Sequence, residues 1–231
     1  MSHLGRRHEP DERDHRFLLA SLLREPTRLT PLPVRKTWGV NPSALDQGQT
    51  GTCVGHGWRN FLRCAPSRSE KSGPSPYDIY RAAVMRDSWS DNDDESALPD
   101  GDPGMDSGTS VRAGAKALAG FGRLTSYVWA FSLQPAIEWV LTNGPLVLGT
   151  DWYSSFSSPD RHGIVRISPG AAVVGGHCYL LRGVDRRQAL ARCSNSWGDG
   201  WGVSGEFFLP FQVLERLIRD RGECCSAVEK V

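Results

Sequence analysis

Cys53 stands where a thiol could become a nucleophile. It follows Gly48 and Gly51, which indicate a turn, and Thr52, which is placed to cap a helix. A thiol at the first helical position lies close to backbone N–H groups, and these stabilise its thiolate form. Gln47, six residues upstream, could direct its side-chain amide at an oxygen next to the sulfur.

Two later segments supply the partners that such a thiol needs. His177 follows Gly175 and Gly176 in a stretch typical of a strand, and Asn195 opens the sequence Asn-Ser-Trp-Gly. An imidazole near the sulfur can act as its base, and an amide can orient that imidazole. His56 is a rival base, but its place on the helix of the thiol favours packing instead. The residues predict a cysteine–histidine–asparagine site that cleaves or transfers acyl groups.

The composition is that of a folded protein without a strong net charge. Hydrophobic residues make up 39% of the 231 residues and charged residues 23%, with a formal net charge of +1. We therefore expect no binding of nucleic acid or of an anionic membrane surface. No apolar run approaches the ~20 residues that span a bilayer. The cysteine spacing favours free buried thiols, although a disulfide stays open for Cys64, Cys178, Cys193, Cys224 and Cys225.

The chain divides into a helical first half and a strand-rich second half. Apolar spacing and capping residues predict helices over 53–64, 75–86, 110–120 and 134–143. Apolar runs between turn residues predict strands over 145–150, 163–167, 177–184, 190–194 and 206–209. This order indicates an α+β protein of two lobes with a ligand cleft between them. The predicted organisation is an N-terminal arm (1–34), a helical lobe (35–122) and a β-rich lobe (123–231).

Three segments together resemble the papain-like cysteine peptidases. They are Gln47-Gly48-x-x-Gly51-x-Cys53, Gly176-His177 and Asn195-Ser196-Trp197-Gly198-x-Gly200-Trp201-Gly202-x-x-Gly205. The stretches 75–80 and 106–110 and the strand that begins at residue 145 are similar to those of compact bacterial and phage members. The resemblance covers about residues 38–215. It implies a papain-like fold in which a helical lobe faces an antiparallel, barrel-like lobe across the active-site cleft.

The resemblance also implies residue roles, and neither a metal nor an organic cofactor. Cys53 would be the nucleophile, His177 its base and later its acid, and Asn195 the group that orients the imidazole. Gln47 and the Cys53 backbone N–H would form the oxyanion hole. Trp197 would shield the contact between Asn195 and His177 from water. The implied substrate-binding residues are Ser107, Gly108, Gly176 and Trp197.

Three departures from the family's pattern concern the substrate more than the chemistry. Val54 stands where the family has an aromatic residue, and Thr50 replaces a half-cystine, which removes one disulfide. Gly175 and Gly176 offer no side chain to the second subsite, where P2, the second residue before the cleaved bond, would bind. We therefore expect weak selectivity at P2, and the peptide or protein substrate stays undefined.

The arm is rich in both basic and acidic residues and contains a possible short helix over 14–24. It has no recognisable signal peptide, which predicts cytoplasmic synthesis in a bacterium or its virus and leaves the final location open. Three interpretations of the arm stay open: an autoinhibitory strap, a docking peptide for a partner, and a strand packed on the β-rich lobe. The acidic stretch 87–106 partly resembles a calcium loop but lacks its turn glycine, which favours a solvated loop.

Two functions are consistent with these patterns. The first is a cysteine-type peptidase that hydrolyses amide bonds through an acyl-enzyme intermediate. The alternative is a structural or attachment component of a larger assembly, for example a phage particle, which uses the papain-like fold with or without peptidase activity.

Overall fold

The computed structural model describes residues 4–23, 31–40, 43–67, 73–87 and 107–229. The acidic stretch lies outside these ranges apart from its first residue, Asp87. Within the described ranges, no helix is both long enough and apolar enough to cross a membrane.

The described residues form five α-helices, and the first three pack around a shared apolar core. Ser75 caps the second helix through a full capping box with Asp78, and the Ser110 hydroxyl caps the third by accepting a hydrogen bond from the Ala113 N–H. The Ser75 cap was predicted from the sequence, whereas Ser110 was predicted as the first residue of its helix and is its cap instead. The helices are α1 (Cys53–Leu62), α2 (Pro76–Val84), α3 (Val111–Gly120), α4 (Leu133–Thr142) and α5 (Phe211–Arg221).

The side-chain cap predicted for α1 is wrong. Thr52 precedes the helix, but its side chain makes no capping hydrogen bond. Its hydroxyl instead lies 2.8 Å from the Thr50 hydroxyl and 3.3 Å from His56 Nδ1. The local polar contacts of the turn therefore replace the cap.

The strands form a single antiparallel sheet within the described chain. Its order is β2-β7-β3-β4-β5-β6, and β1 also pairs with β4. The first part of β4 pairs with β3, and its last part lies between β1 and β5. The strands are β1 (Arg35–Thr37), β2 (Leu124–Trp129), β3 (Leu146–Tyr153), β4 (Val173–Asp185), β5 (Leu190–Ser194), β6 (Glu206–Pro210) and β7 (Glu223–Glu229).

The predicted strand over 163–167 is wrong. Only an isolated bridge joins Ile164 to Phe208 there. The Asp160 carboxylate accepts hydrogen bonds from the N–H groups of His162 and Ile164, so the segment turns instead of extending. Strands β1, β2 and β7 and helix α5 are additions that the sequence did not predict.

Helix α1 packs directly on β4 because a glycine lies at the contact. A methyl group added at Gly57 would lie 2.6 Å from Cys178 Sγ. On another side of the helix, a methyl group at Gly55 would overlap the Pro76 carbonyl oxygen at the start of α2. These small residues hold Cys53, at the start of α1, close to the strand that carries His177.

The arm packs along the body of the protein. Two 3-10 turns, Glu12–Arg16 and Leu19–Leu22, replace the predicted helix over 14–24. Beside them, the Trp129 N–H donates to the Phe17 carbonyl at 2.8 Å, so the arm covers part of the edge strand β2.

Candidate active site

Cys53 is the first residue of α1, and its side chain is fully buried. Burial raises the pKa of the Cys53 thiol to about 11, because the thiolate would lose its hydration. Backbone hydrogen bonds from Gly5, Cys178 and Val54 and the positive charge of Arg6 oppose that rise. The sulfur therefore lies between strand β4 and the arm.

The contact between His177 and Asn195 determines which ring nitrogen carries a hydrogen. Asn195 Oδ1 accepts a hydrogen bond from the Ser196 N–H at 2.8 Å and lies 2.7 Å from His177 Nε2. Because a carbonyl oxygen only accepts hydrogen bonds, the hydrogen of the neutral ring is on Nε2. His177 Nδ1 is buried and has no hydrogen-bond partner within the described chain. In particular, it makes no hydrogen bond with Cys53.

Burial also controls the charge of His177. It lowers the pKa of the imidazole to about 4, and the hydrogen bond to Asn195 opposes this shift. With the pKa of the Cys53 thiol raised, both groups are neutral near pH 7 in this structure. The arm, which contacts the sulfur, contributes to that burial.

Two tryptophans enclose His177. The ring centroids of Trp197 and Trp152 each lie 4.8 Å from the imidazole centroid. Trp197 was predicted to cover this site, but Trp152 was not, because the predicted strand ended at residue 150. Alternation along the longer β3 provides the missing signal: Thr150 pairs with His177, and Trp152, two residues on, lies on the same face.

Gln47 is nearly fully buried and tied to the segment that carries Asn195. Its Nε2 donates to the Thr50 carbonyl at 2.6 Å, and its Oε1 accepts from the Ser196 hydroxyl at 2.7 Å. The Gln47 backbone N–H donates to the Ser196 carbonyl at 2.9 Å. The turn before α1 and the Asn-Ser-Trp-Gly segment are therefore one hydrogen-bonded unit.

Ser107 and Gly108 are held by a tyrosine on α2. The Tyr80 hydroxyl lies 3.0 Å from Ser107 Oγ and accepts from the Gly108 N–H at 3.0 Å. Next to them, the Thr109 hydroxyl donates to Asp87 at 2.8 Å. This segment forms one wall of a groove, here called the cleft, whose other wall is the start of β4.

The arm crosses the cleft, where Arg6 forms an isolated bridge with Thr109. The Arg6 N–H donates to the Gly176 carbonyl at 3.0 Å on one wall. On the other wall, the Thr109 N–H donates to the Gly5 carbonyl at 2.9 Å and the Arg7 N–H to the Thr109 carbonyl at 2.9 Å. A methyl group at Gly176 would overlap the Arg6 carbonyl oxygen, so this close approach needs glycine. The arm thus occupies the place expected for a peptide.

His56, the rival base, is bonded within its own helix. Its Nδ1 lies 2.9 Å from the Thr52 carbonyl, and its ring meets the edge of Tyr77 with the centroids 5.4 Å apart. These contacts agree with the packing that the sequence favoured for this residue.

The comparisons with known proteins identify the fold. The search against family models found no match. The chain is 23% identical over 224 residues to an uncharacterized peptidase C1-like protein of Acanthamoeba polyphaga mimivirus, with 77% of this chain and 68% of that protein covered.

Solved structures are similar over the whole chain. Xylellain, a cysteine protease from Xylella fastidiosa, superposes with a TM-score of 0.70 at 18% identity and covers 100% of this chain and 98% of its own. Digestive procathepsin L2 proteinase from the Tenebrio molitor larval midgut gives a TM-score of 0.66 at 18% identity, with 100% and 78% covered. The chain has the papain-like cysteine protease fold, as the sequence predicted.

Proposed function

We propose that this protein is a cysteine-type peptidase that hydrolyses amide bonds through an acyl-enzyme on Cys53. The observation that carries the proposal is the tautomer of His177. Its Nε2–H donates to Asn195, which leaves the Nδ1 lone pair available as a base. The C1-like peptidase relative and the cysteine proteases of the same fold support this activity.

The residues then act in sequence on a bound peptide. His177 Nδ1 takes the thiol proton, and the Cys53 thiolate attacks the carbonyl carbon of the cleaved bond. The Gln47 amide and the Cys53 backbone N–H hold the resulting oxyanion. The C–N bond breaks as the imidazolium protonates the leaving amine, and a thioester remains on Cys53. Water, activated by His177, hydrolyses the thioester and regenerates the thiol.

The arm position supports the autoinhibitory interpretation of residues 1–34. The backbone group of the arm that acts on the Cys53 thiol is the Gly5 N–H. A nucleophile attacks the carbonyl carbon, so this arrangement is unproductive. We infer that the arm must leave the cleft before a peptide or protein substrate binds.

Removal of the sulfur tests the proposal. Cys53→Ala should abolish peptide hydrolysis and covalent labelling by a thiol-reactive peptide epoxide, while circular dichroism shows an unchanged fold. Cys64→Ala removes another buried thiol just beyond the far end of α1 and is the matched control, with activity retained. Hydrolysis that persists in Cys53→Ala would overturn the assignment.

A further inference from the structure

The side chain of Arg6 leaves the arm and fills a pocket below Gly176. It is 1% exposed, although arginine is rarely buried without a partner. Its Nε donates to Glu223 Oε2 at 2.7 Å, and its other donors face the Arg221 carbonyl and, at 3.9 Å, Asp151 Oδ1. The pocket is therefore built to receive a guanidinium.

A glycine, Gly149, leaves space above the Glu223 carboxylate. Glu223 on β7 pairs in register with Gly149 on β3. A methyl group at Gly149 would lie 2.9 Å from Arg6 Nε and 2.5 Å from a methyl group of Val111. Any larger residue at position 149 would displace the guanidinium, so the glycine determines that the pocket is deep enough for arginine.

Of the two carboxylates near the pocket, Glu223 is the one with unused hydrogen-bonding capacity. Asp151 already accepts two hydrogen bonds from Arg221, at 2.8 and 3.1 Å. Glu223 Oε1 is buried and has no hydrogen-bond partner within the described chain, because Arg6 bonds only to Oε2. A guanidinium can bond both oxygens of a carboxylate at once, so the pocket offers more than Arg6 uses.

We propose that Glu223 makes this pocket a specificity subsite for an arginine side chain of the substrate, and that Arg6 fills it while the arm occupies the cleft. The inference rests on the proposed peptidase function and names the substrate class of the same site. The expectation of weak selectivity considered only Gly175 and Gly176, whereas the selecting group here comes from β7. Arginine should exceed lysine as well, since the pocket surrounds a planar, forked cation.

The test compares two peptides that differ only in charge at P2. One peptide carries arginine at that position and the other citrulline, which has nearly the same shape and no charge. In the 231-residue protein, kcat/KM should be about 10- to 100-fold higher for arginine. The arm must leave before either peptide binds, so its occupancy lowers both rates equally and cancels from the ratio.

Substitutions assign the selectivity to one carboxylate. Glu223→Gln should bring the ratio of arginine to citrulline close to one while citrulline peptides are still cleaved. Glu215→Gln, an exposed glutamate on α5, is the matched control and should leave the ratio unchanged. If Glu223→Gln does not fold, Glu223→Asp keeps the charge on a shorter side chain and should lower the ratio.

A second readout separates this inference from the proposed function. Peptide epoxides carrying arginine or citrulline label Cys53 without requiring hydrolysis. Faster labelling by the arginine probe with no hydrolysis would support the subsite and refute the peptidase. Equal rates for both peptides, or an arginine preference that survives Glu223→Gln, would overturn the subsite and leave the peptidase standing. If neither peptide reacts and neither probe labels Cys53, both proposals are wrong.

Discussion

One hydrogen bond decides which nitrogen of His177 can act as a base. Asn195 accepts from Nε2, and the Ser196 N–H fixes the amide that does so. Asn195 is therefore a positioning residue in the proposed reaction, since it acts through the imidazole.

Loss of this amide should affect both the rate and the pH profile. We expect Asn195→Ala to lower kcat on the order of 10²-fold, because the imidazole loses its orientation. Asn195 raises the pKa of His177, so in the variant the neutral imidazole that acts as the base should persist to lower pH, and the acid limb of kcat/KM should shift downwards. Asn143→Ala, at an exposed asparagine after α4, should change neither quantity. A lower rate with an unshifted limb would contradict the positioning role.

The charge of Glu223 should make arginine selectivity depend on pH. Burial raises the pKa of Glu223 to about 7, opposed by Arg6 and Arg112, while the charge of Glu9 adds to the rise. The carboxylate is charged above that pKa and neutral below it. The ratio of kcat/KM for arginine over citrulline peptides should therefore fall as the pH is lowered through about 7. A ratio that is constant from pH 5 to 9 would disagree with this prediction.

Residue types and short spacings predicted the central residues of the proposed site but not those that surround them. Cys53 and Gln47 lie in one turn, and Asn195 lies in a motif, so local sequence was enough. Arg6 and Glu223, in contrast, are separated by 217 positions and meet only through the path of the arm and the pairing of β7 with β3. Long-range pairing of this kind leaves no periodic signal.

Among the elements, α1 depends on small residues where it meets its neighbours. Gly57→Ala should place a methyl group against Cys178 and force α1 away from β4. Overpacking costs about 1–3 kcal/mol, which exceeds the ~1 kcal/mol that alanine gains over glycine within a helix. We expect a lower free energy of unfolding in urea and slower labelling of Cys53.

The control for Gly57→Ala is a glycine with free space around it. A methyl group at Gly39 would meet no atom within 4 Å, so Gly39→Ala should be nearly neutral. A Gly57→Ala protein as stable and as reactive as Gly39→Ala would refute the packing argument.

The predictability of an element depended on its local signals. Helices α2 and α3 have serine caps, and β5 was predicted at the bounds that the structure shows. Strand β1, with the sequence Arg-Lys-Thr, has no apolar pattern and exists because β4 offers it an edge. Strand β7 begins with Glu223, whose buried carboxylate accepts a hydrogen bond from Arg6 of the arm.

For the whole molecule, the arm is fixed by one buried arginine outside the cleft. Arg112 on α3 donates to the Glu9 carbonyl at 3.0 Å, lies 3.2 Å from Asp11 and forms an ion pair with Asp14. Its side chain is 4% exposed, so loss of this cation would leave the Asp14 carboxylate in a poorly solvated place.

Arg112→Ala should therefore loosen the arm and expose the cleft. We expect faster labelling of Cys53 and higher peptide hydrolysis than in the unaltered protein, on the order of tenfold for ~1.4 kcal/mol of lost arm binding. Lys116→Ala removes a cation from the same helix without touching the arm contacts described and should have no effect. A thermal melt checks that the body stays folded, and unchanged labelling would refute the anchoring role.

The arm lies in the cleft of its own chain, an arrangement here called the closed state. This arrangement determines how the closed state responds to dilution. The arm is a ligand attached to its own binding site, and short tethers give effective concentrations in the millimolar range. The fraction of closed molecules is therefore set within each chain, and specific activity should be the same at nanomolar and micromolar protein. A single cut between arm and body would turn the arm into an ordinary free ligand, which dilution then removes.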